Sequence, residues 1–472
     1  MGSLKSSPSP QFAGESDLEM SKKGEVEGDE EMIMENNNNN KDVEEGDDVV
    51  ISIEKMIMEL PSVNPNSSLY KVPKGHIKTN ETMYTPRFIS IGPFHHGQPE
   101  LMAAEQYKLW ALKTYLCRAK MGVKEAMSLA CSWEEKARSC YGHPIDMNKQ
   151  NFAKMMLLDG CFILEFLNIT NDLYIEDDEK WIDDGSLIYR ILYDVERDLT
   201  IYENQLPFFV LQQLYDLLPF PPENDDPAVH FMECMSKLFI ATTTGYSYHY
   251  NATTEVRHLV DLLKFYFIPS PDTDEYKKFK ESEEESYLES PNLTKLCEAG
   301  VKVQKADEAK SMMDFSFKNG ILKIPPTIIH NVFEIHIRNL IVSEIVSEDE
   351  TYLFHYVALL DDLIDTEKDV SILVKEKIIS NTSGCSDQQV AELINNLRLN
   401  APTFPDKCYY YNHMSKELND YCNKWWHRSM ASLRRDYFNT PWASISFFAA
   451  TFLLILTFLQ TLFSTPFIFY NK

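Results

Sequence analysis

Two histidines, His95 and His96, stand side by side in FISIGPFHHG (Phe88 to Gly97), between a Gly-Pro break and a second glycine. Two carboxylates, Asp159 in MMLLDGCFILEFL and Glu203 in YENQLPFF, lie in strongly apolar surroundings. An imidazole beside a carboxylate whose proton affinity burial has raised is minimal equipment for general acid-base work, and histidines also ligate metals. The same side chains admit a structural role. Neighbours in sequence point in different directions, and helical metal pairs are spaced three or four apart, so the dipeptide favours a turn. In that turn one imidazole satisfies backbone groups freed by Gly92-Pro93. A carboxylate in an apolar segment must pair, accept donors or take up a proton. For Asp159, Glu165 and Glu203 the expectation is pairing with Arg338 or Arg197. His330 and His336, near Glu334, are six apart, which on a helix sets them on different faces in structural roles.

Signature motifs are absent: there is no Gly-x-Gly-x-x-Gly, no P-loop, no His-Glu-x-x-His and no Gly-x-Ser-x-Gly. Nine cysteines are scattered without a Cys-x-x-Cys pair, which fits reduced thiols better than a disulfide framework or zinc module. No cofactor or metal is expected. The net charge is -27, of which Met1 to Asp48 carries -10 from fourteen acids and four lysines, leaving -17 downstream. With no concentrated basic face to release counterions, nucleic acid is excluded as a partner.

The elements that position these groups are helical. At 472 residues and 44% hydrophobic, the chain can bury a sizeable core. Ile188, Ile191, Leu192, Val195, Leu199 and Tyr202 recur at spacings of three and four, which predicts an amphipathic helix ending near Asn204. Pro207 opens a second helical run to Pro219, and Leu101 to Ala119 and Tyr352 to Leu363 behave alike. FSFKNGILKIP (Phe315 to Pro325) alternates about Asn319-Gly320, a hairpin signal. The fold class is therefore mainly α: a large helical domain over 49–436 with a minor β-hairpin. Residues 1–48 form a disordered acidic arm, and 268–293 form an exposed acidic linker or insertion within the domain.

From Trp442 to Tyr470 no residue is charged, and Ala443 to Ser464 gives 22 residues, enough to cross about 30 Å of hydrocarbon as one helix. Lys424, Arg428, Arg434 and Arg435 precede this span and only Lys472 follows it, which places the body in the cytosol on a single-pass, tail-anchored protein. Six Asn-x-Ser/Thr sequons, at Asn66, Asn80, Asn168, Asn251, Asn292 and Asn381, point the other way, to a body outside the cell. Gly2, in MGSLKS, fits a myristoylation pattern.

Long blocks in order along the chain, among them YKVPKGHIKTNETMYTPRFISIGPFHHG, MMLLDGCFILEFL, IYENQLPFFVL, FKNGILKIP, YVALLDDLIDTEKDVSILVKEKII and ELNDYCNKWWHRSMASLRRDYFNTPWASIS, resemble the plant domain-of-unknown-function family 247, also grouped as uncharacterised protein family 0481. GVKV at Gly300 to Val303 and NTSGCS at Asn381 to Ser386 depart from the family pattern. The resemblance implies a plant-specific, mostly helical, membrane-associated protein with a C-terminal span and no established activity. Some family members are linked to self-incompatibility in grasses. It supplies no catalytic residue. The functional expectation is a membrane-anchored, non-enzymatic component of recognition or signalling, bound to the membrane through its C-terminal helix and to an unidentified protein partner. The rivals are a membrane-tethered enzyme using His95 or His96 with Asp159 and Glu203, and a cell-surface recognition protein.

Overall fold

The computed structural model describes residues 50, 52–56, 67–175, 185–219, 230–232, 234–235, 256–282, 287–346, 352–398, 409–424 and 441–464. The chain divides into two units, 1–63 and 64–472. In the first, residues 50 and 52–56 are described and helical. The expected acidic arm over 1–48 and Gly2 lie outside the described residues.

The second unit is mainly α. A short helix α1 (Lys74–Thr79) and a 3-10 turn (Glu81–Met83) lead into irregular chain over 84–98. Helices α2 (Glu105–Ala119) and α3 (Val123–Ser139) then pack against the long α4 (Lys149–Ile175), whose residues from Phe152 to Leu167 are almost all buried. Such a helix must be apolar all round, as MMLLDGCFILEFL is. Helix α5 is Gly185–Leu199 and α6 is Phe208–Tyr215. Helix α6 packs closely on α4 at Gly160, where an added Cβ would lie 2.4 Å from Leu214 Cδ1 and displace that side chain. Helix α5 ends five residues before the expected Asn204. The carbonyls that would continue it are taken by side chains: Thr200 Oγ1 donates to Arg197 O (2.7 Å), Asn204 Nδ2 to Asp198 O (2.9 Å) and Gln205 Nε2 to Leu199 O (2.6 Å).

Helix α7 (Leu259–Lys264) opens the C-terminal part. Within 268–293, expected to be an exposed linker or insertion, the described residues 268–282 and 287–293 expose many side chains but also form regular structure. The stretch contains α8 (Asp274–Glu281), capped by Thr273, whose Oγ1 accepts from Tyr276 N, and Glu275 is buried, accepting Met414 N at 3.1 Å. Aliphatics are scarce here, but Tyr276, Phe279 and Tyr287 pack on the core in their place. Helix α9 is Leu293–Glu298.

The hairpin forms as expected: β2 (Ser316–Lys318) pairs antiparallel with β3 (Ile321–Ile324), and Asn319 and Gly320 both adopt positive φ (53° and 75°). Strand β1 (Lys302–Lys305) adds to β3 in parallel, and a second parallel pair joins β4 (Thr327–Ile329) to β5 (Ile379–Asn381). These strands of three or four residues carry no periodicity that sequence could reveal. Between β4 and β5 run α10 (Phe333–Val346), α11 (Tyr352–Leu363) and α12 (Glu367–Lys375), followed by α13 (Asp387–Arg398) and α14 (Asn412–Asn423). One buried cluster runs from Leu69 to Leu418.

Helix α15 (Pro441–Ser464) contains a stretch, Ile445–Phe463, long and apolar enough to cross a membrane, and none of it is buried. Phe448, Leu454 and Phe463 are 63%, 72% and 83% exposed. Arg428, Arg434, Arg435 and the apolar residues 465–470 lie outside the described residues.

Candidate functional site

Among the described residues the irregular segment 85–92 pairs with no strand, so its N–H donors need other acceptors. Side chains supply them. Asp198, at the end of α5, accepts from the N–H groups of Arg87 (3.0 Å), Phe88 (2.7 Å) and Ile89 (3.0 Å). Asn204 Oδ1 accepts from Ile91 N (2.6 Å), while its Nδ2 donates back to Ile89 O (3.1 Å). Asp159, on α4, accepts from Gly92 N (2.8 Å). Gly92 has φ 73°, and a Cβ there would meet Gln205 O at 2.3 Å, so the segment turns where only glycine fits.

Two buried cations balance these carboxylates. Arg197 Nη1 reaches Asp198 at 2.6 Å, and Nη2 donates to Thr82 O at 2.6 Å. Lys108 Nζ lies 2.7 Å from Asp159 and 2.6 Å from Glu105, and donates to Ser90 Oγ at 3.3 Å. Burial opposes the charge of Lys108, yet its two carboxylate partners hold its pKa above the ordinary lysine value. Lys108 and Arg197 are at most 1% exposed, so removing either partner of a pair would strand a charge out of water.

His95 and Glu203 meet at the edge of this network. His95 Nε2 lies 3.5 Å from Glu203 Oε2, and Gln98 Nε2 is 3.0 Å from His95 Nδ1. With the amide NH2 of Gln98 as donor, Nδ1 accepts and the ring proton sits on Nε2, facing Glu203. Burial, aided by Lys71, pushes the His95 pKa down to about 4, so the ring is neutral near pH 7. Burial raises Glu203 against the opposing pull of the Val72 N–H, which donates to Oε1 at 2.5 Å. Both residues are less than a tenth exposed.

Of the four residues nominated from sequence, the structure brings His95 and Glu203 together, leaves His96 exposed on the surface, and directs Asp159 to Lys108 and Gly92. The expected arginine partners are occupied elsewhere: Arg197 by Asp198 and Arg338 by Glu334 (2.7 Å). Glu165 pairs instead with Arg118 at 2.8 Å. His330 and His336 do not diverge on a helix, because α10 begins only at Phe333. The His330 ring precedes it and packs edge-on against His336 at 5.3 Å. Among the described residues no group of three or more His, Cys, Asp or Glu is placed to hold a metal ion.

Sequence reasoning missed Lys108, Arg197, Asp198 and Asn204 as members of one cluster. A signal for Lys108 existed: Leu101, Ala104, Lys108, Ala111 and Tyr115 share a three-and-four spacing, which sets a lysine on the buried stripe. What this arrangement does chemically is hold the backbone. Asp159, Asp198 and Glu203 each accept main-chain donors, and the contact between His95 and Glu203 is enclosed.

The family described as a plant protein of unknown function, DUF247, matches residues 69–456, which contain the whole network. The UPF0481 protein At3g47200 of Arabidopsis thaliana is 26% identical over 416 residues, covering 83% of this chain and 85% of that protein. The putative UPF0481 protein At3g02645, also of Arabidopsis thaliana, is 24% identical over 494 residues, covering 85% and 90% respectively. No solved structure shows significant similarity to the chain. With most of its length matched, the chain belongs to the plant DUF247 family, whose function is unknown.

Proposed function

We propose that this is a non-enzymatic interaction protein, held at a membrane by α15 with its helical body in the cytosol, acting through a protein partner in recognition or signalling. The observation that carries the non-enzymatic part is that Asp159, Asp198 and Glu203 each accept backbone N–H groups of 72–92 and lie out of solvent. A catalytic carboxylate must be within reach of substrate, and these three are enclosed. The outward apolar surface of α15 and the basic residues before it support the tether and its orientation. Two sequons favour the same topology: Asn381 Nδ2 donates to Cys385 O (2.7 Å), and Asn292 Oδ1 caps Lys295 N (3.0 Å), so both amides serve local turns.

Endoglycosidase treatment of the protein expressed in plant cells tests the topology. No mobility shift is expected, and a shift would sink the cytosolic body. The contact between His95 and Glu203 favours one rival, a membrane-tethered enzyme. Complementation of a loss-of-function plant with His95→Gln and Glu203→Gln discriminates them. Rescue is expected from both, and failed rescue by variants of unchanged melting temperature would establish the enzyme.

A further inference from the structure

The exposed surface of α2 and the turn after it differs from the rest of this acidic chain. Between residues 101 and 124 no exposed residue is acidic, although the chain as a whole carries -27. Leu109 and Trp110 are 59% and 53% exposed and at 100° per residue fall on one face of α2 with Lys113, while Met102, 54% exposed, lies in the 3-10 turn just before the helix. Lys120, in the left-handed conformation (φ 53°), ends the helix and turns the chain so that exposed Val123 and Lys124 continue the surface. Glu105, the one carboxylate in α2, is paired with Lys108. Lys113, Lys120 and Lys124 have no carboxylate partner among the described residues.

An aromatic, aliphatic and lysine face without acids matches the interface of an anionic bilayer: tryptophan and leucine enter the headgroup boundary while lysines meet lipid charge. A cytosolic protein partner would be expected to show recognition polarity of both signs, which this face lacks. We propose that α2, with the turn to α3, is a second membrane contact, docking the body on an anionic lipid surface. The proposal rests on the membrane tether for bringing the body close enough to dock.

The test uses the full chain in vesicles whose acyl chains are brominated, made of phosphatidylcholine alone or with phosphatidylserine. A fluorophore is placed on Leu109→Cys, and the parent chain labelled in parallel gives the background. Quenching is expected with phosphatidylserine and not without it, and each lysine changed to glutamine should reduce docking about fivefold. Flotation after alkaline carbonate reports the tether separately. Flotation without quenching overturns the docking and leaves the tether. Quenching without flotation overturns the tether and leaves the face, and neither signal overturns both. Equal quenching by phosphatidylcholine alone overturns the role of charge. A dimeric mass in detergent that Trp110→Asp halves would assign the face to a second copy instead, also overturning the proposal.

Discussion

The same device holds two unpaired segments in different parts of the fold, with different consequences. Residues 85–92 are held by Asp198, Asn204 and Asp159. Residues 287–294 are held by Asp362, which accepts Ser290 N (2.9 Å) and the Tyr287 hydroxyl, and by Asp369, which accepts Thr294 N (2.7 Å) and Thr366 N (2.9 Å). In the first region the balancing cations, Lys108 and Arg197, are sealed inside. In the second, Arg398 serves Asp361 and Asp362 from a side chain 34% exposed. Water can thus replace the cation in one clamp and not in the other, so the buried clamp should fail far more steeply when a member is removed.

Asp198→Ala is the largest expected effect, because it strands three N–H donors and the Arg197 guanidinium together. A loss of about 4–5 kcal/mol is expected in denaturant unfolding of the detergent-solubilised chain. Asp369→Ala, which removes the capping box of α12 and the hold on Thr294, should cost about 2–3 kcal/mol by the same measurement. Equal losses would break the contrast between the two clamps.

Lys108→Met leaves Asp159 charged and unpaired, with an expected loss of about 3–4 kcal/mol. Adding Asp159→Asn should recover part of it, since the amide oxygen still accepts from Gly92 N while the stranded charge is gone. A double variant no more stable than Lys108→Met would show that the lysine acts by packing, not charge.

Long apolar-periodic segments were legible in the sequence. Tyr352–Leu363 forms the helix its spacing predicts, and Asn319-Gly320 makes the turn its residue types require. What escaped depends on partners distant in sequence: Asp198 meets Phe88 across 110 residues and Asn339 meets Tyr202 across 137, and no local pattern encodes such pairs. At the site, burial of the carboxylates was legible because MMLLDGCFILEFL has no polar face. Partner identity was not, because arginine and lysine both satisfy the rule that a buried acid pairs. His95 and His96 look equivalent in the sequence. Their separation into a buried ring and an exposed one follows from the turn at Gly92, whose direction the packing of Gln205 sets.

Two buried groups outside the clamp carboxylates should respond to pH with opposite sign, and two single variants isolate them. His95, beside the first clamp, has its pKa pushed down to about 4 by burial, so the unfolded chain binds the proton more tightly. Its contribution is complete above about pH 6.5 and is lost as pH falls towards 4. Glu344, on α10, accepts Leu353 N (2.9 Å), and burial pushes its pKa up to about 7, so the folded chain binds the proton more tightly. Stability there falls as pH rises from about 4.5 to 7. Relative to His95→Gln, the parent should lose about 2–3 kcal/mol on acidification through the first window. Relative to Glu344→Gln, it should lose a similar amount on alkalinisation through the second. Melting temperatures against pH measure both, and slopes of the same sign would refute the assignment.

Glu203→Gln should have the smallest effect, about 1 kcal/mol or less, because the amide oxygen can still accept from Val72 N. The substitution removes the charge facing His95 without moving the backbone that Glu203 holds. If Glu203 serves only as a clamp, Glu203→Gln and the parent should show the same proton uptake by His95, with its pKa shifted by a fraction of a unit in histidine NMR. A fall of a full unit or more on loss of the carboxylate would mean that the contact between His95 and Glu203 is an electrostatic pair in its own right. The first region would then hold an acid-base couple that the second lacks, beyond the difference in where their cations sit.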